Sequence, residues 1–210
     1  MLPWTRFDYS LDDYPFTSHV AWSLDVADLT SLSADIPRHT WQSDQSTPWH
    51  RLFYDGFMLW SATYAEFVHE VIAPHVGEPF YYQRVPTFRV HLPDNVAVGE
   101  FHTDAVYNHP SGEVTFWTPL TPAYDSCSVW IADDDDELHV VNANPGEVIE
   151  FSAVTRRHGN KLNVTGQSRV SFDFRCLPAR LLPKADESRT KHTRMRFIPG
   201  EYYALEKVTV

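Results

Sequence analysis

The spacing of hydrophobic residues changes near residue 80, and it predicts helices before that point and strands after it. One set of large apolar residues recurs in alternating steps of four and three: Phe53, Phe57, Trp60, Tyr64, Phe67 and Val71. These residues share one face of an amphipathic helix, which predicts a helix from about Pro48 to Ile72 that Pro74 and Gly77 end. A weaker pattern with serine and aspartate caps predicts another helical stretch around Leu24–Leu32.

From Phe80 onward, hydrophobic and polar residues alternate with the period of two that is typical of β-strands. Turn sequences such as Asn144-Pro145-Gly146 separate the runs. The predicted strands are Thr87–Leu92, Gly99–Asp104, Glu113–Leu120, Cys127–Ala132, Leu138–Val141, Glu147–Phe151 and Arg169–Cys176. Such a series, with helices contributed from one end, predicts a mainly β fold with flanking helices (α+β). We expect its strands to form a double-stranded β-helix of the jelly-roll, cupin-like type.

The length of 210 residues is enough for one domain with a sizeable core and is short for two. We therefore expect a single domain over residues 1–210. It would have mainly helical support in 1–79, a jelly-roll core in 80–178 and a C-terminal tail in 179–210. The tail is polar and basic up to an aromatic patch at 197–203. Two placements of that patch remain open, over the mouth of the barrel or on its outside.

The last predicted strand indicates where polar side chains point. Along Arg169–Cys176 the apolar residues occupy one face, and the other face carries Arg169, Ser171, Asp173 and Arg175. Thr87–Leu92 likewise places Arg89 and His91 opposite its apolar residues. If the helices cover the apolar faces, the polar faces line the inside of the barrel and form a polar site. The reverse orientation, with the polar faces in solvent, remains open.

The run Phe101-His102-Thr103-Asp104 ends a predicted strand. It places a histidine and an aspartate on one face, because side chains two apart on a strand point the same way. With the later His158 they can form the two-His-one-carboxylate facial triad, which suits iron(II) and leaves coordination positions open. Roughly one His-x-Asp is expected by chance in a chain of this composition, so the motif carries weight only with its neighbours.

Those neighbours are Arg169 and Ser171, which follow His158 on the polar face of a predicted strand. An arginine and a hydroxyl so placed fit bidentate capture of the distal carboxylate of 2-oxoglutarate. The combination of His-x-Asp, a later histidine and this pair is much more specific than any one part.

Several blocks of sequence carry a resemblance to a known family: Pro86–Pro93, Phe101–Asp104, Gly112–Thr121, His158–Asn160 and Thr165–Arg175. With these blocks, the segment from about Pro86 to Pro178 resembles the double-stranded β-helix oxygenases of the phytanoyl-CoA dioxygenase type. More narrowly, it resembles the small StrG-like proteins of streptomycin and related antibiotic gene clusters. The resemblance implies an iron(II)- and 2-oxoglutarate-dependent dioxygenase of secondary metabolism.

By this resemblance, His102, Asp104 and His158 bind iron and are the catalytic residues, and Arg169 binds 2-oxoglutarate with Ser171 as its helper. One departure is Thr115, where StrG-like sequences lead us to expect asparagine. Asp104 favours oxygenation over halogenation, because halogenases of this class have a small residue there that leaves room for halide.

Candidate substrate contacts lie on the polar faces and in the loop after the motif: Arg89, His91, Tyr107, Trp117 and Arg175. Other roles remain open, namely a buried network with Asp173 for the charged residues, core packing for Trp117 and a loop turn for Tyr107. The polar lining and the resemblance predict a small polar metabolite, such as an amino acid, an aminosugar or a guanidino compound. We expect it to be hydroxylated or desaturated with dioxygen.

Composition narrows the partners and the compartment. The net charge of −11 argues against nucleic acid, because no basic surface would neutralise phosphates. No apolar run approaches the roughly 18 residues of a membrane span, and the first residues lack a secretory signal pattern. Cys127 and Cys176 lack metal or redox spacing, so we expect free buried thiols in a cytoplasmic protein. The acidic run Asp133–Glu137 lacks the glycine of a calcium loop and predicts a solvated hairpin turn.

Two rival functions remain open. A cupin-type metal enzyme that does not use 2-oxoglutarate would keep the two histidines and Asp104 but have no use for Arg169 and Ser171. A non-catalytic jelly-roll module that binds carbohydrate fits the 14% aromatic content, but would leave the His-x-Asp motif idle.

Overall fold

The computed structural model describes residues 2–32, 47–98, 100–185 and 188–209. Its strands are β1 Thr5–Asp8, β2 Phe80–Tyr82, β3 Thr87–His91, β4 Val114–Pro119, β5 Val129–Ala132, β6 Leu138–Val140, β7 Glu147–Phe151, β8 His158–Asn160 and β9 Arg169–Pro178. They form two sheets in which every pairing is antiparallel. The larger sheet has the order β1-β7-β4-β9-β2, with β3 also paired to β9, and the smaller has the order β6-β5-β8.

Six of the predicted strands are present, with ends shifted by two residues at most. The strand predicted at Gly99–Asp104 is wrong over its described residues, 100–104. His102 makes one isolated bridge to His158, and the 3₁₀-helix Asp104–Tyr107 begins two residues later. The short strands β1, β2 and β8 were not predicted.

The described α-helices are α1 Phe16–Ser23, α2 Pro48–Phe57, α3 Ser61–Phe67, α4 Ala73–Val76 and α5 Leu182–Ala185, and a π-helical turn, Val68–Ile72, joins α3 to α4. The prediction of one continuous helix from Pro48 to Ile72 is therefore wrong, since the chain leaves the α-helix between α2 and α3. Pro74 does not end the helix, because it lies in the first turn of α4 where its missing N–H is not needed. Gly77 does end it, with a left-handed φ of 69°.

The helical stretch predicted around Leu24–Leu32 is also misplaced. The regular helix α1 ends at Ser23, and the later residues contribute only the 3₁₀-helix Leu29–Ser31. Asp28 caps that short helix by accepting the N–H of Thr30 at 2.8 Å. The capping residue therefore did mark the start of a helix, but of a much shorter helix than the one predicted.

The helical region covers the apolar face of β9. The rings of Phe172 and Phe174 contact aromatic rings of that region: Phe16, Trp60, Tyr64 and Phe67. The opposite face of β9 carries Arg169, Asp173 and Arg175, all buried, and these side chains line a cavity. The inward orientation of the polar face is thus confirmed.

The C-terminal tail packs against the edge of the larger sheet. Its aromatic residues Phe197, Tyr202 and Tyr203 form a buried cluster with Leu177 of β9. Backbone bridges join the tail to β2 and the residue after it, through Phe80 with Val208 and Gln83 with Tyr203. The tail is therefore an integral part of the packed structure.

Both cysteines are buried and free, as predicted. Among the described helices, none has the length and apolar character needed to cross a membrane.

Candidate metal centre and active site

His102 and His158 lie side by side because their backbones pair. Each N–H donates to the other residue's carbonyl at 2.9 Å, and side chains of directly opposed residues project from the same side. Each Nδ1 atom faces a backbone carbonyl two residues earlier, that of Glu100 at 2.7 Å and that of Arg156 at 3.0 Å. A carbonyl only accepts, so each Nδ1 carries the hydrogen and each Nε2 presents a lone pair.

Asp104 reaches the same place because the chain turns directly after the bridge, where its N–H donates to the carbonyl of Ala153 at 2.8 Å. Its Oδ1 atom lies 3.7 Å from Nε2 of His102 and 3.6 Å from Nε2 of His158. Its Oδ2 atom accepts from Nε and Nη2 of Arg175 at 3.1 and 2.8 Å. One carboxylate oxygen is therefore fixed by a guanidinium, while the other faces the two imidazoles.

The charge states of these groups suit a metal. Burial raises the pKa of Asp104, but the Arg175 guanidinium and the two histidines outweigh it and hold that pKa well below its usual range. Burial, assisted by the neighbouring His102, lowers the pKa of His158 to about 4. At neutral pH the carboxyl is thus ionised and the His158 ring is neutral, which are the forms that bind metal ions.

Arg169 is a buried cation in the same cavity. Its Nε donates to the carbonyl of Cys127 at 3.0 Å, and its Nη1 donates to Oγ of Ser171 at 2.8 Å. Burial lowers its pKa to about 10, which still leaves it charged at neutral pH. No carboxylate of a described residue lies within 4.0 Å of it, so the guanidinium has no described anionic partner.

Ser171 is held in a fixed orientation by two donors. Its oxygen accepts from Nη1 of Arg169 and from Nε1 of Trp117 at 2.9 Å. Both lone pairs of the hydroxyl are then used, and its hydrogen is left to donate. The Arg169 guanidinium lines the cavity, whereas Ser171 is fully buried behind it and is not among the lining residues.

The other predicted substrate residues divide into two groups. Arg89, Trp117 and Arg175 line the cavity, and Asp173 bridges both arginines through an ion pair with each. His91 is fully buried, is not among the lining residues, and has both ring nitrogens facing backbone carbonyls. Tyr107 packs edge-on against His102 at 4.9 Å, with the tail residue His192 on its other side.

Several lining residues were not predicted: Val98, Thr115, Val129, Phe151, Gly159 and Asn160. Thr115 differs from the rest because its hydroxyl is buried and has no hydrogen-bond partner among the described residues. Its position two residues before Trp117 on β4 was the available signal, since the two share a face. Asn160 follows His158 by two residues and could have been found in the same way.

A second group of potential metal ligands consists of Asp133 and Glu137 on the turn between β5 and β6 and His139 on β6. Oδ1 of Asp133 accepts the N–H groups of Asp135 and Glu137, and Oδ2 lies 2.7 Å from Nε2 of His139. The turn itself therefore occupies both carboxylate oxygens, and the acidic run forms the hairpin turn that was predicted.

Comparisons with solved structures establish the fold. SnoK, a non-haem alpha-ketoglutarate-dependent carbocyclase from nogalamycin biosynthesis, is similar over 99% of this chain and 92% of its own, with a TM-score of 0.55 and 13% identity. The non-haem monooxygenase ThoJ is similar over 90% and 79%, with a TM-score of 0.54 and 14% identity. AviO1 from Streptomyces viridochromogenes Tue57 is similar over 85% and 91%, with a TM-score of 0.52 and 15% identity. At these identities the likeness demonstrates a shared fold.

Sequence comparison gives the family. No protein-family model matches this sequence. The streptomycin biosynthesis protein StrG of Streptomyces griseus is 39% identical over 203 residues, which are 97% of this chain and 98% of StrG. Such identity over nearly the whole of both chains confirms the resemblance carried by the sequence blocks, and this chain belongs to the StrG family.

Proposed function

We propose that this protein is a non-haem iron(II) oxygenase that uses 2-oxoglutarate and dioxygen to hydroxylate or desaturate a small polar metabolite in secondary metabolism. One observation carries the proposal. A buried arginine with no described anionic partner lines the same cavity as His102 and His158, and the ligand atoms of these two histidines lie within 4.8 Å of a carboxylate oxygen of Asp104. The metal-binding residues alone would fit several enzyme classes. The buried positive charge of the arginine, in contrast, indicates that an anion binds in this cavity.

The residues present fit an iron(II) ion. His102 and His158 would each bind it through Nε2 and Asp104 through Oδ1, atoms that lie within 4.8 Å of one another. This donor set leaves coordination positions open, and it contains no thiolate of the kind that structural zinc sites use. Arg175 holds the second oxygen of Asp104, which keeps the first oxygen directed at the metal position.

The residues present also fit 2-oxoglutarate. Nη2 of Arg169 and the hydroxyl hydrogen of Ser171 would bind its distal carboxylate. This carboxylate would supply the negative charge that the Arg169 guanidinium lacks among the described residues. Trp117 holds Ser171 and lies beside the guanidinium, with 5.8 Å between Cζ of Arg169 and the ring centre. When bound, iron(II) and 2-oxoglutarate supply the oxidising chemistry that no side chain of this protein provides.

The remaining lining residues would receive the substrate and exclude water. Val98, Val129 and Phe151 give the cavity an apolar side. Arg89, Arg175 and the unpaired hydroxyl of Thr115 give it a polar side. A small metabolite with both hydrogen-bonding groups and a C–H to be oxidised matches this lining. Tyr107 would border the site from its place beside His102.

The comparisons are consistent with this proposal. SnoK depends on alpha-ketoglutarate, another name for 2-oxoglutarate, and ThoJ is a non-haem monooxygenase that also has a nickel complex. We further propose that the two sheets form a double-stranded β-helix, and that residues 1–210 act as one oxygenase domain.

The test is loading with metal and cosubstrate without oxygen. Protein is loaded anaerobically with iron(II), given 2-oxoglutarate and one of a panel of amino acids, aminosugars and guanidino compounds, and then exposed to oxygen. We expect one metabolite to raise the succinate formed, measured by mass spectrometry, above the level without metabolite. Failure to bind iron, or metabolite turnover that does not need 2-oxoglutarate, would contradict the proposal, and the second result would favour a cupin-type enzyme.

A further inference from the structure

His91 is a fully buried polar residue that the proposed chemistry does not use. It ends β3 and lies directly opposite Arg169 in the antiparallel pairing of β3 with β9. Its Nδ1 atom lies 3.1 Å from the carbonyl oxygen of Cys127, and its Nε2 atom lies 2.8 Å from that of Asn95. The ring therefore lies among backbone carbonyl groups, those of Cys127, Asn95 and Lys161, and the first of these also contacts Arg169.

The shared group is the carbonyl of Cys127. It accepts the Nε hydrogen of Arg169 at 3.0 Å, and it lies against the ring of His91 on its other side. A guanidinium is planar and rigid, so fixing Nε and Nη1 also fixes the direction of Nη2. Ser171 fixes Nη1, and the Cys127 carbonyl fixes Nε. The Cys127 carbonyl is therefore one of the two contacts that set the orientation of the guanidinium in the cavity.

The chemical nature of imidazole suits this place. Burial, and then the neighbouring charge of Arg169, lower the pKa of His91 to about 4. The ring is therefore neutral near neutral pH and adds no second positive charge beside the buried guanidinium, and its single N–H can donate to only one of these carbonyls. A lysine would add that charge, while an aliphatic side chain could not hold a carbonyl by a polar contact.

The contact with Asn95 allows a purely structural interpretation, in which His91 only pins the turn after β3. The carbonyl of Asn95 also accepts the N–H of Asn163, so this turn has support that does not depend on the ring. The carbonyl of Cys127, in contrast, has only Arg169 and His91 as described polar neighbours. The two interpretations differ in how the loss of the ring would affect the binding of 2-oxoglutarate.

We propose that His91 is a positioning residue for the 2-oxoglutarate site: its Nδ1 carries the hydrogen of the ring and donates it to the Cys127 carbonyl, which aligns the guanidinium of Arg169 with the distal carboxylate. This inference rests on the proposed function, because it assigns that carboxylate to Arg169. Loss of His91 would weaken cosubstrate binding without touching the metal ligands or the reacting atoms.

The experiment compares His91→Leu, His91→Asn and, as a matched control, His50→Leu. His50 is a second buried histidine, on α2, and does not line the cavity. Each protein is loaded with manganese(II), which does not support turnover, and titrated with 2-oxoglutarate in a calorimeter. The melting temperature is recorded in parallel, and KM for 2-oxoglutarate and kcat are measured with iron(II).

We expect His91→Leu to bind 2-oxoglutarate about tenfold more weakly, which is the effect of misaligning one hydrogen bond to a charged group. KM should rise in the same proportion while kcat changes much less. In His91→Asn the side-chain amide reaches the position of Nδ1, and binding should return to within about threefold of wild type. His50→Leu should lose comparable thermal stability with no change in 2-oxoglutarate binding.

Four outcomes would overturn the inference. Unchanged cosubstrate binding in His91→Leu would reduce His91 to a structural residue, and so would an equal loss of binding in His50→Leu. Failure of His91→Asn to restore binding would mean that the ring acts through its bulk and not through the carbonyl. A wild-type protein that does not bind 2-oxoglutarate would overturn the proposed function, and this inference with it.

Discussion

Arg175 donates two hydrogen bonds to one oxygen of Asp104 and leaves the other oxygen facing His102 and His158. Arg175 also pairs with Asp173, so one guanidinium compensates two buried carboxylates. Removing one partner of a buried ion pair leaves a charge without compensation, which costs about 3–5 kcal/mol. The same interaction that orients the proposed metal ligand therefore also stabilises the cavity wall.

We expect Arg175→Met to lower the free energy of unfolding by about 3–5 kcal/mol in the absence of metal. Addition of manganese(II) should recover part of this loss, because a divalent cation at the Asp104 carboxylate replaces some of the missing positive charge. Thermal melts with and without the metal measure both effects. A metal-induced gain that is no larger in Arg175→Met than in wild type would argue against a metal at Asp104.

The sequence predicted the inward row on β9 well, because alternation over the eight residues 169–176 is a strong signal and the apolar residues Phe172 and Phe174 had to meet the helices. It brought the proposed metal ligands together from a partly wrong premise. His102 and Asp104 do not share a regular strand; a single bridge and a turn place them together.

What the sequence could not give depends on contacts between distant residues. The pairing of Arg175 with Asp104 and the shared carbonyl of Cys127 join segments that no local pattern relates. The break between α2 and α3 was hidden for a similar reason. Phe57 and Trp60 are both buried, so the hydrophobic period continues across a point where the α-helix does not.

His102→Ala and His158→Ala should each abolish stoichiometric iron(II) binding while leaving the melting temperature of the metal-free protein nearly unchanged. The bridge that joins the two residues is made by backbone atoms, which alanine retains. Equilibrium dialysis followed by metal analysis measures the occupancy.

The matched control is His139→Ala, which changes the second group of potential ligands on the turn after β5. It should bind iron(II) like wild type. Loss of iron in His139→Ala, with retention in the other two variants, would move the metal centre to that turn.

Tyr203 anchors the tail through a buried carboxylate. Its hydroxyl donates to Oε1 of Glu113 at 2.5 Å, and Oε2 of Glu113 lies 2.6 Å from Nδ1 of His109. We expect Tyr203→Phe to lower the free energy of unfolding in urea by about 1–3 kcal/mol, since a buried acceptor loses its partner. Leu205→Ala, at an exposed position of the same tail, should change it by less than about 0.5 kcal/mol. Equal effects of the two substitutions would mean that the tail is not held through Glu113.

Thr115 and Thr118 provide a matched pair on β4. Both hydroxyls are buried and have no hydrogen-bond partner in the part of the chain that the structure describes, but of the two only Thr115 lines the cavity. Replacement by valine keeps the shape and removes an unsatisfied polar group, so each variant should gain up to about 1 kcal/mol in metal-free stability. Thr115→Val should in addition raise KM for substrate or cosubstrate several-fold, whereas Thr118→Val should leave both unchanged. Identical kinetics in the two variants would remove Thr115 from the site.

Replacement of Arg169 should have opposite effects on thermal stability and on 2-oxoglutarate binding. In the protein without ligand it is a buried charge with no described carboxylate beside it, a costly arrangement that an apolar side chain of similar length relieves. Arg169→Met should therefore unfold at an equal or higher temperature than wild type. The same substitution should weaken 2-oxoglutarate binding by about 2–5 kcal/mol, because the distal carboxylate would lose a charged partner while remaining buried.

Arg169→Lys tests whether 2-oxoglutarate binding depends on the positive charge alone or also on the planar shape of the guanidinium. Lysine keeps the positive charge but cannot bond the Cys127 carbonyl, Ser171 and a carboxylate in one plane, so its affinity for 2-oxoglutarate should fall between those of wild type and Arg169→Met. Calorimetric titration of the manganese(II)-loaded proteins measures the order. If Arg169→Met bound 2-oxoglutarate as well as wild type, the buried guanidinium would have a purely structural role. The metal centre would then belong to an enzyme that needs no 2-oxoglutarate.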